Sequence, residues 1–350
     1  MTKTNIDLYN YLINTFNITY EEIPEEVQSN VHNNEQENIV YLGNYFIRSY
    51  KETYTFFTEN LAILYESNFL SDKETLNILD FGSGTGGQIF GLLHALSIFY
   101  KDIKNINIYS IDGNSNALEI QQKIFDEYWS NQFNHAINLK FFIKEVHNGD
   151  SLYNYLIDTF EQKFDIIITS KSLSELVNND NQIYYHFLKA VELLLDQNGI
   201  CLISDVTCQV KNSDYIPSII NNNIMQYYKN TNLNEPNYLY IVIPICCFYH
   251  KLNCNKPYCY TQNKINMNVI INNQISSRTC KIDFKLFLKR GIVLKTLYDN
   301  VLSKKTNKEL CFINNKLCYC NGNDNYFKRV FKDLQFKCSQ FSLKNYKEHI

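Results

Sequence analysis

The fold of this 350-residue chain is decided by one stretch, Leu76-Asn77-Ile78-Leu79-Asp80-Phe81-Gly82-Ser83-Gly84-Thr85-Gly86-Gly87. An apolar run ends at Phe81 and leads into four closely spaced glycines. The run predicts a buried β-strand, and the glycines let the backbone turn tightly and approach a ligand. A helix beginning near Gly87 would direct unpaired N–H groups at that ligand. The stretch therefore predicts a nucleotide-cofactor cradle, with a purely structural loop as the alternative.

Two acidic residues belong to the ends of successive apolar runs. Asp80 lies near the end of the first, and Asp112 ends the next, at 108–112. The glycine spacing is Gly-x-Gly-x-Gly-Gly, which differs from the Gly-x-Gly-x-x-Gly of dinucleotide sites. Together with the two acids, the pattern resembles the S-adenosylmethionine site of Rossmann-like methyltransferases.

That resemblance implies a cofactor contact for each of eight residues. The glycines leave room for the methionine portion, Asp80 holds its ammonium group directly or through water, and Asp112 accepts hydrogen bonds from both ribose hydroxyls. Asp150 lies where such enzymes bind the adenine amino group, or it is instead the N-cap of a helix starting at Ser151. The expected cofactor-binding residues are Asp80, Gly82, Ser83, Gly84, Gly86, Asp112, Asp150 and Ser170.

Short apolar runs alternate with amphipathic stretches between Leu76 and Thr207. This alternation predicts an α/β fold with a doubly wound, Rossmann-like sheet, in which ligands bind beyond the carboxyl ends of the strands. The predicted strands lie near 76–81, 106–111, 139–145, 164–170 and 200–206, and the predicted helices near 87–100, 115–130, 151–160 and 181–196.

Different patterns flank this predicted cofactor domain, 75–210. Residues 1–74 predict a helical N-terminal extension, because a core-facing stripe recurs at intervals of three and four, through Tyr45, Phe46, Tyr50, Tyr54, Phe57, Leu61 and Leu64. Residues 211–350 predict a basic, cysteine-rich and β-rich C-terminal appendage. Its predicted elements are a helix near 215–229 and strands near 238–245, 267–272, 280–288, 309–313 and 316–320.

Charge is divided unevenly along the chain. Residues 251–350 carry 19 Lys and Arg against 6 Asp and Glu, whereas residues 1–250 carry 14 against 30. The two parts therefore have formal charges of +13 and −16. Such asymmetry indicates that the basic end meets a polyanion such as RNA. A solvated lysine-rich surface is the alternative.

No stretch of the sequence approaches the roughly 20 apolar residues that a membrane-spanning helix needs. The polar start, Met1-Thr2-Lys3-Thr4-Asn5, lacks the pattern of a signal peptide. We expect a soluble, cytoplasmic protein that does not bind membranes. The sequence does not predict an oligomeric state.

Substrate chemistry is expected just after the fourth predicted strand, in the segment 164–176. This segment has no Asn-Pro-Pro-Tyr-like run for amino methylation of a base, and it lacks the cysteine nucleophile that carbon-5 pyrimidine methylation uses. Lys171, Ser172 and Glu175 are the candidates for polar contact with the substrate. Helix capping by Ser172 or Ser174 is the alternative.

Separated segments resemble the mitochondrial-type small-ribosomal-subunit methyltransferase-like family. They are Tyr45-Phe46-Ile47-Arg48-Ser49-Tyr50-Lys51-Glu52-Thr53-Tyr54, the run from Leu79 to Gly86, and Ser172-Leu173-Ser174-Glu175-Leu176. The resemblance covers roughly residues 45–331 and implies a partner in RNA or a small-subunit precursor. Asp205-Val206-Thr207 replaces the Glu-Pro-Gly-like end of the family's fifth strand.

All 11 cysteines lie between Cys201 and Cys338. In an intracellular chain, such clustering favours metal or redox use over disulfides. The family holds an iron–sulfur cluster in some members, and the thiolates of Cys247, Cys254, Cys259 and Cys311 could hold one here. By spacing alone, Cys247, His250, Cys254 and Cys259 could instead bind zinc. Free cysteines packed as small apolar residues are the alternative to both.

Three functions are consistent with these patterns. The first is an S-adenosylmethionine-dependent methyltransferase that acts on RNA or a ribosome precursor. The second keeps the cofactor site but takes a small molecule or peptide as substrate. The third is a largely non-catalytic ribosome assembly factor on a methyltransferase scaffold. RNA binding that weakens with salt would favour the first and third, and methyl transfer would separate them.

Overall fold

The computed structural model describes residues 3–18, 20, 31–130, 135–208, 215–232, 235, 237–243, 263–271, 274–289 and 291–297. The strands predicted near 309–313 and 316–320 lie outside these residues. The chain forms two compact units. The first comprises Met1–Thr58, Glu74–Val146 and Lys264–Cys280, and the second comprises Glu59–Lys73, His147–Asn263 and Lys281–Ile350. The predicted boundaries near 74 and 210 divide the chain differently and stay a prediction.

The described elements follow the predicted alternation of strands and helices. The α-helices are α1 (Lys3–Phe16), α2 (Glu35–Tyr41), α3 (Ile47–Glu66), α4 (Gly87–Phe99), α5 (Ser115–Ile124), α6 (Gly149–Thr159), α7 (Ser172–Leu176), α8 (Ile183–Leu194), α9 (Ile216–Asn230) and α10 (Ile292–Leu297). The strands are β1 (Thr75–Phe81), β2 (Asn105–Asp112), β3 (Ala136–Ile143), β4 (Phe164–Ser170), β5 (Leu195–Val206), β6 (Leu239–Ile243), β7 (Asn263–Ile271) and β8 (Gln274–Lys289).

Parallel pairing organises the strands of the first unit. β1 pairs with β2 from Thr75 opposite Asn105 to Phe81 opposite Ile111, and β2 pairs with β3. The carboxyl halves of β1 and β2 are buried almost continuously, as expected for parallel strands that are covered on both faces. This register carries Asp112 one residue beyond the end of the β1–β2 ladder.

The predicted N-terminal extension is helical, but its long helix is interrupted. A π-helical segment, Leu42–Phe46, joins α2 to α3. Most of the predicted core stripe is buried, including Phe46, Tyr50 and Phe57. Side chains of this kind lose the most water-accessible apolar area on folding, which is why the stripe faces inward. The predicted core role of this stripe is confirmed.

The second unit contains the ladder of β4 with β5 and the ladders of β5 and β6 with the second half of β8. β4 and β5 are parallel, with a register irregularity after Phe164 opposite Leu195. β5 therefore begins five residues before the predicted strand at 200–206, and the regular ladder starts at Ile166 opposite Ile200. The predicted strand at 280–288 is the second half of β8, and it pairs antiparallel with both β5 and β6.

Parallel strands alternating with helices confirm the predicted Rossmann-like α/β class. The β-rich C-terminal sequence contributes β6, β7 and β8, and residues 282–288 of β8 extend the ladder of β5 directly. Among the described residues, no helix is both long and apolar enough to span a bilayer.

Candidate cofactor site

The glycine-rich turn after β1 has the left-handed geometry that its sequence indicated. Gly82, Gly84 and Gly86 have φ values of 67°, 53° and 90°. The amides of Gly82 and Ser83 donate to the carbonyl oxygen of Ile111 at 2.9 and 3.0 Å. Gly86 is the N-cap of α4. A Cβ atom at Gly86 would lie 2.7 Å from Cγ of Gln121, so both conformation and space require glycine there.

Asp80 lies beneath this turn, where it is fully buried. The Ser83 hydroxyl is 2.8 Å from Oδ2 of Asp80, and the Gln88 side-chain amide donates to Oδ1. Burial raises the pKa of Asp80 to about 7, the Ser83 hydrogen bond opposes that rise, and the negative charge of Asp112 adds to it. The structure thus gives Asp80 a bracing role in the turn. Its predicted contact with the cofactor ammonium group stays a prediction.

A polar chain that sequence reasoning missed continues from Asp80 to β2. Ser83 Oγ lies 2.8 Å from Oε1 of Gln121, and Nε2 of Gln121 donates to Ser110 at 3.0 Å. The Ser83 hydroxyl lies 2.8 Å from an acceptor oxygen of both Asp80 and Gln121, and its single hydrogen can be donated fully to only one of them at a time. Gln121 lies on the buried face of α5 together with Ala117 and Ile124. A polar residue at a core-facing helix position is the sequence signal from which this buried network could have been predicted.

We expect Asp80→Asn to gain stability relative to the wild type as pH rises. The pKa of Asp80 is about 7 in the folded protein, above the ordinary value of 3.8. Between pH 3.8 and about pH 7, folding therefore takes up a proton, and the free energy of unfolding of the wild type falls as pH rises through this range. Asparagine does not bind such a proton, so its own contribution to stability does not change with pH. Urea unfolding of both proteins at about pH 5 and about pH 8 measures the difference. A difference that does not change with pH would contradict the assignment.

Asp112 projects from the end of β2 and is almost fully buried. Its Oδ2 accepts from the Gly84 amide at 2.7 Å, and its Oδ1 accepts from the Asn114 amide at 2.9 Å. A carboxylate offers roughly four acceptor positions, which suits it to accept from ribose hydroxyls as well as from backbone amides. The donor set around Asp112 therefore fits the predicted ribose contact and also fixes the shape of the turn.

An asparagine cluster from the N-terminal extension lies beside this strand end. Asn114 caps α5 by accepting from Ala117 N, and its side-chain amide donates to the Asn33 carbonyl at 2.8 Å. Asn38 donates to Asn114 Oδ1 at 3.2 Å. Asn114 carried a recognisable N-cap signal, whereas Asn33 and Asn38 were indistinguishable from the many other asparagines of the chain. The extension thus contributes directly to the site of the first unit.

In the second unit, β4 ends in a strained turn. Lys171 has φ of 64°, which a non-glycine residue adopts rarely and often at functional sites. Ser172 Oγ is 2.8 Å from Thr169 Oγ1, Ser174 Oγ donates to the Lys171 carbonyl at 2.7 Å, and Glu175 is exposed. Lys171 itself occupies the N-cap position of α7, without a side-chain cap bond. The alternative that Ser172 or Ser174 serves as the N-cap is therefore wrong.

Ser170, the last residue of β4, has a buried hydroxyl. In the part of the chain that the structure describes, this hydroxyl has no hydrogen-bond partner. Buried polar atoms are normally satisfied, and a bound ligand is one means of satisfying them. Ser170 therefore fits its predicted role as a ligand contact.

The first turn of α6 contains Asp150, whose side chain is 87% exposed. Helix α6 begins at Gly149, and its N-cap is Asn148, which accepts from Ser151 N at 2.8 Å. The N-cap alternative for Asp150 is therefore wrong. Its Oδ1 lies 3.5 Å from Nδ1 of His186, and its exposure leaves it open to a ligand, so the adenine contact stays a prediction.

The predicted metal ligands Cys247, Cys254, Cys259 and Cys311 lie outside the described residues, as does His250. Within the described ranges, no group of three or more His, Cys, Asp or Glu side chains is arranged to hold a metal ion. Cys201 and Cys280 are buried, and neither is part of a disulfide. These two follow the alternative of small apolar packing, and the iron–sulfur or zinc site stays a prediction.

Comparison with known proteins agrees with this geometry. Residues 72–270 match the family model described as a methyltransferase domain. The chain belongs to this methyltransferase family, and S-adenosylmethionine is its methyl donor. A comparison with curated proteins gives no match.

Several solved structures are similar to this chain at low identity. A protein described as a candidate RNA methyltransferase from Pyrococcus horikoshii is 12% identical, with a TM-score of 0.39 over 82% of this chain and 99% of the other. Magnesium protoporphyrin IX methyltransferase from Synechocystis, with bound S-adenosylmethionine, is 11% identical, with a TM-score of 0.35 over 82% and 98%. NSun6 from Pyrococcus horikoshii is 12% identical, with a TM-score of 0.36 over 66% and 52%.

Proposed function

We propose that this S-adenosylmethionine-dependent methyltransferase acts on RNA. The observation that carries the proposal is the formal charge of +13 on residues 251–350. Lysine and arginine side chains release counterions when they contact phosphates, and this release favours binding to any RNA. The cofactor supplies an electrophilic methyl group, and the chain's residues must bind and orient the acceptor.

The described part of this basic region divides its cations between two environments. Lys285 is buried against Asp283, and the buried Lys289 donates to the Leu195 carbonyl at 2.7 Å. These two charges serve the fold. Lys281 and Lys295, by contrast, are exposed. At least these two of the 19 Lys and Arg side chains in residues 251–350 are therefore not available to phosphate.

A ribosomal role is the finer proposal. It is supported by the resemblance of the segments at 45–54 and 172–176 to the mitochondrial-type small-ribosomal-subunit family. A small-subunit precursor would then be the partner, and a cytoplasmic location is part of the same proposal. A small-molecule or peptide substrate is the competing candidate, favoured by the almost complete burial of Lys171 at the end of β4.

The deciding experiment measures methyl transfer directly. Purified protein is incubated with cofactor labelled on its methyl group and with separate fractions of total RNA, protein and small metabolites. We expect label in RNA that ribonuclease removes. Label confined to the protein or metabolite fraction would overturn the RNA proposal while leaving methyltransferase activity established.

We expect binding to structured RNA to weaken steeply as salt rises, because each phosphate contact releases counterions. Replacing Lys281 and Lys295 together with alanine should flatten the logarithmic salt dependence by about one unit for each residue that contacts phosphate. The matched control replaces Lys101 and Lys229, exposed lysines elsewhere in the chain. Fluorescence anisotropy over a salt series measures both slopes. Binding that is insensitive to salt would leave the lysines as surface solvation.

A further inference from the structure

A short segment of the N-terminal extension lies against the loop that follows β2. We call this segment, residues 31–38, the strap. Its second half begins α2, where Asn34 is the N-cap and forms a capping box with Glu37. Asn34 Oδ1 accepts from Glu37 N at 3.1 Å, and Glu37 Oε2 accepts from Asn34 N at 2.7 Å. This box fixes the backbone from which the strap contacts the loop.

The strap holds the side chain of Asn114 at two atoms. The Asn33 carbonyl accepts from Nδ2 of Asn114 at 2.8 Å, and Nδ2 of Asn38 donates to Oδ1 of Asn114 at 3.2 Å. Val31 packs close to the preceding residue of the loop, since a Cβ atom at Gly113 would lie 3.2 Å from its Cγ1. The three asparagines are buried, so water competes little for these hydrogen bonds.

Asn114 carries this constraint to the carboxylate of Asp112. The backbone amide of Asn114 donates to Oδ1 of Asp112 at 2.9 Å, and the Gly84 amide donates to Oδ2 at 2.7 Å. Each carboxylate oxygen is thus oriented by one amide, one from the glycine-rich turn and one from the loop that the strap holds. The strap, the loop and the turn all belong to the first unit.

Stability alone does not explain the asparagine at position 38. The side-chain amide of Asn38 donates to the Asn33 carbonyl at 3.3 Å and to Oδ1 of Asn114. Both oxygens also accept from a second donor, which is Nδ2 of Asn114 for the former and Ala117 N for the latter. In the part of the chain that the structure describes, Oδ1 of Asn38 is buried and has no hydrogen-bond partner. A buried acceptor of this kind lowers stability, so its presence requires another explanation.

We propose that Asn33 and Asn38 are positioning residues for the cofactor. Through Asn114, they hold the Asp112 carboxylate in the orientation that accepts the ribose hydroxyls. The inference goes beyond the proposed methylation of RNA, because it makes cofactor affinity depend on the N-terminal extension. It rests on the predicted ribose contact of Asp112 and holds for any methyl acceptor.

Coupling of this kind acts in both directions. If the docked strap favours the carboxylate orientation that binds cofactor, bound cofactor favours the docked strap by the same factor. Addition of S-adenosylmethionine should therefore slow hydrogen exchange of the α2 amides. Helix α1, which belongs to the same extension, is the internal reference for any general stabilisation by the ligand. A purely structural cluster would give α2 no more protection than α1.

Asn38→Leu tests the proposal from the strap. Leucine is similar in size, leaves the Asn33 carbonyl and Asn114 Oδ1 each with a donor, and removes the unpaired acceptor. We expect a melting temperature close to that of the wild type. Cofactor affinity should fall about 10-fold, which corresponds to the loss of roughly one hydrogen bond. Titration calorimetry with S-adenosylmethionine and with its demethylated product measures the affinity.

Asn114→Ser tests the proposal from the loop. Serine keeps an N-cap hydroxyl for α5 and the backbone amide that donates to Asp112, but it lacks the amide that donates to the Asn33 carbonyl. We expect a similar loss of cofactor affinity. Asn44→Leu is the matched control, because Asn44 is a buried asparagine of the same extension whose amide donates to the Val40 carbonyl. This control should bind cofactor with the affinity of the wild type.

A double-mutant cycle shows whether the strap acts through Asp112. When Asp112→Asn has already weakened ribose recognition, adding Asn38→Leu should cause little further loss of affinity. An equal loss in both backgrounds would overturn the proposal, because Asn38 would then act independently of Asp112. Unchanged affinity in both Asn38→Leu and Asn114→Ser would overturn it too, as would equal protection of α1 and α2 by cofactor.

These measurements use no RNA, so the strap and the methyl acceptor are tested separately. Absence of label in RNA would overturn the proposed substrate and leave the strap proposal intact. If Asn38→Leu does not fold, the affinity of Asn114→Ser and hydrogen exchange of the wild type decide the question.

Discussion

Asp112→Ala is expected to weaken cofactor binding by about 10²–10⁴-fold. Two ribose hydroxyls would lose a charged acceptor, and each such hydrogen bond contributes about 1.5–3 kcal/mol. The substitution also removes the partner of the Gly84 amide, which loosens the turn that faces the ligand. Titration calorimetry with S-adenosylmethionine and with its demethylated product measures the loss.

Asp112→Asn separates ligand binding from folding. Asparagine keeps one oxygen that can accept from Gly84, so the turn should hold its shape while ribose recognition weakens. Asp102, an exposed acid elsewhere in the first unit, supplies the matched control when replaced with alanine. Cofactor affinity that stays at the wild-type value in both Asp112 variants would remove this residue from the cofactor site.

Gly87→Ala is expected to lower both stability and cofactor affinity. A Cβ atom at this position would lie 2.5 Å from the carbonyl oxygen of Phe46 and 3.1 Å from its Cα. Backbone atoms cannot rotate away as a side chain can, so the π-helical segment must shift. Insertion of a methyl group into a packed interior of this kind costs about 1–3 kcal/mol. Urea unfolding measures the stability, and calorimetry measures the affinity.

Gly113→Ala is the matched control for that experiment. Its Cβ would lie 3.2 Å from the side-chain methyl Cγ1 of Val31, which can move by a few tenths of an ångström, and at ordinary contact distances of 3.5 and 3.7 Å from Cα and Cβ of Glu145. We expect a much smaller loss of stability than at Gly87. Equal losses at the two positions would show that the contact with Phe46 is not what requires glycine at the start of α4.

The fold was predictable from the sequence because its signals are local. The apolar run and the glycines fixed β1 and the start of α4, and β4 was predicted within its observed limits. β3 was displaced by two or three residues, because its partly exposed pattern gives a weak apolar signal. The length of β8 was missed, since its first half is largely exposed and polar and only its second half carries a buried run.

Residues of the candidate site could be predicted only where the residue type and its local position together indicate a ligand contact. Acids at strand ends and glycines in a turn pointed to Asp80 and Asp112, although the buried, bracing environment of Asp80 depends on tertiary contacts. Gln88 lies within the first turn of α4, and nothing in its local pattern distinguishes it from a solvated glutamine. The buried environment of Asp205 has no local sequence signal, because the Tyr184 hydroxyl that donates to it lies 21 residues away in the chain.

The asparagine cluster ties part of the N-terminal extension into the first unit. The side-chain amide of Asn114 donates to the Asn33 carbonyl, and its Oδ1 accepts from the Asn38 side chain. The backbone amide of Asn114 donates to Asp112. A shortened chain beginning at β1 would leave those buried groups without their partners, at a cost of about 1–3 kcal/mol for each. The segment that contains Asn33 and Asn38 is therefore part of what stabilises the loop after β2.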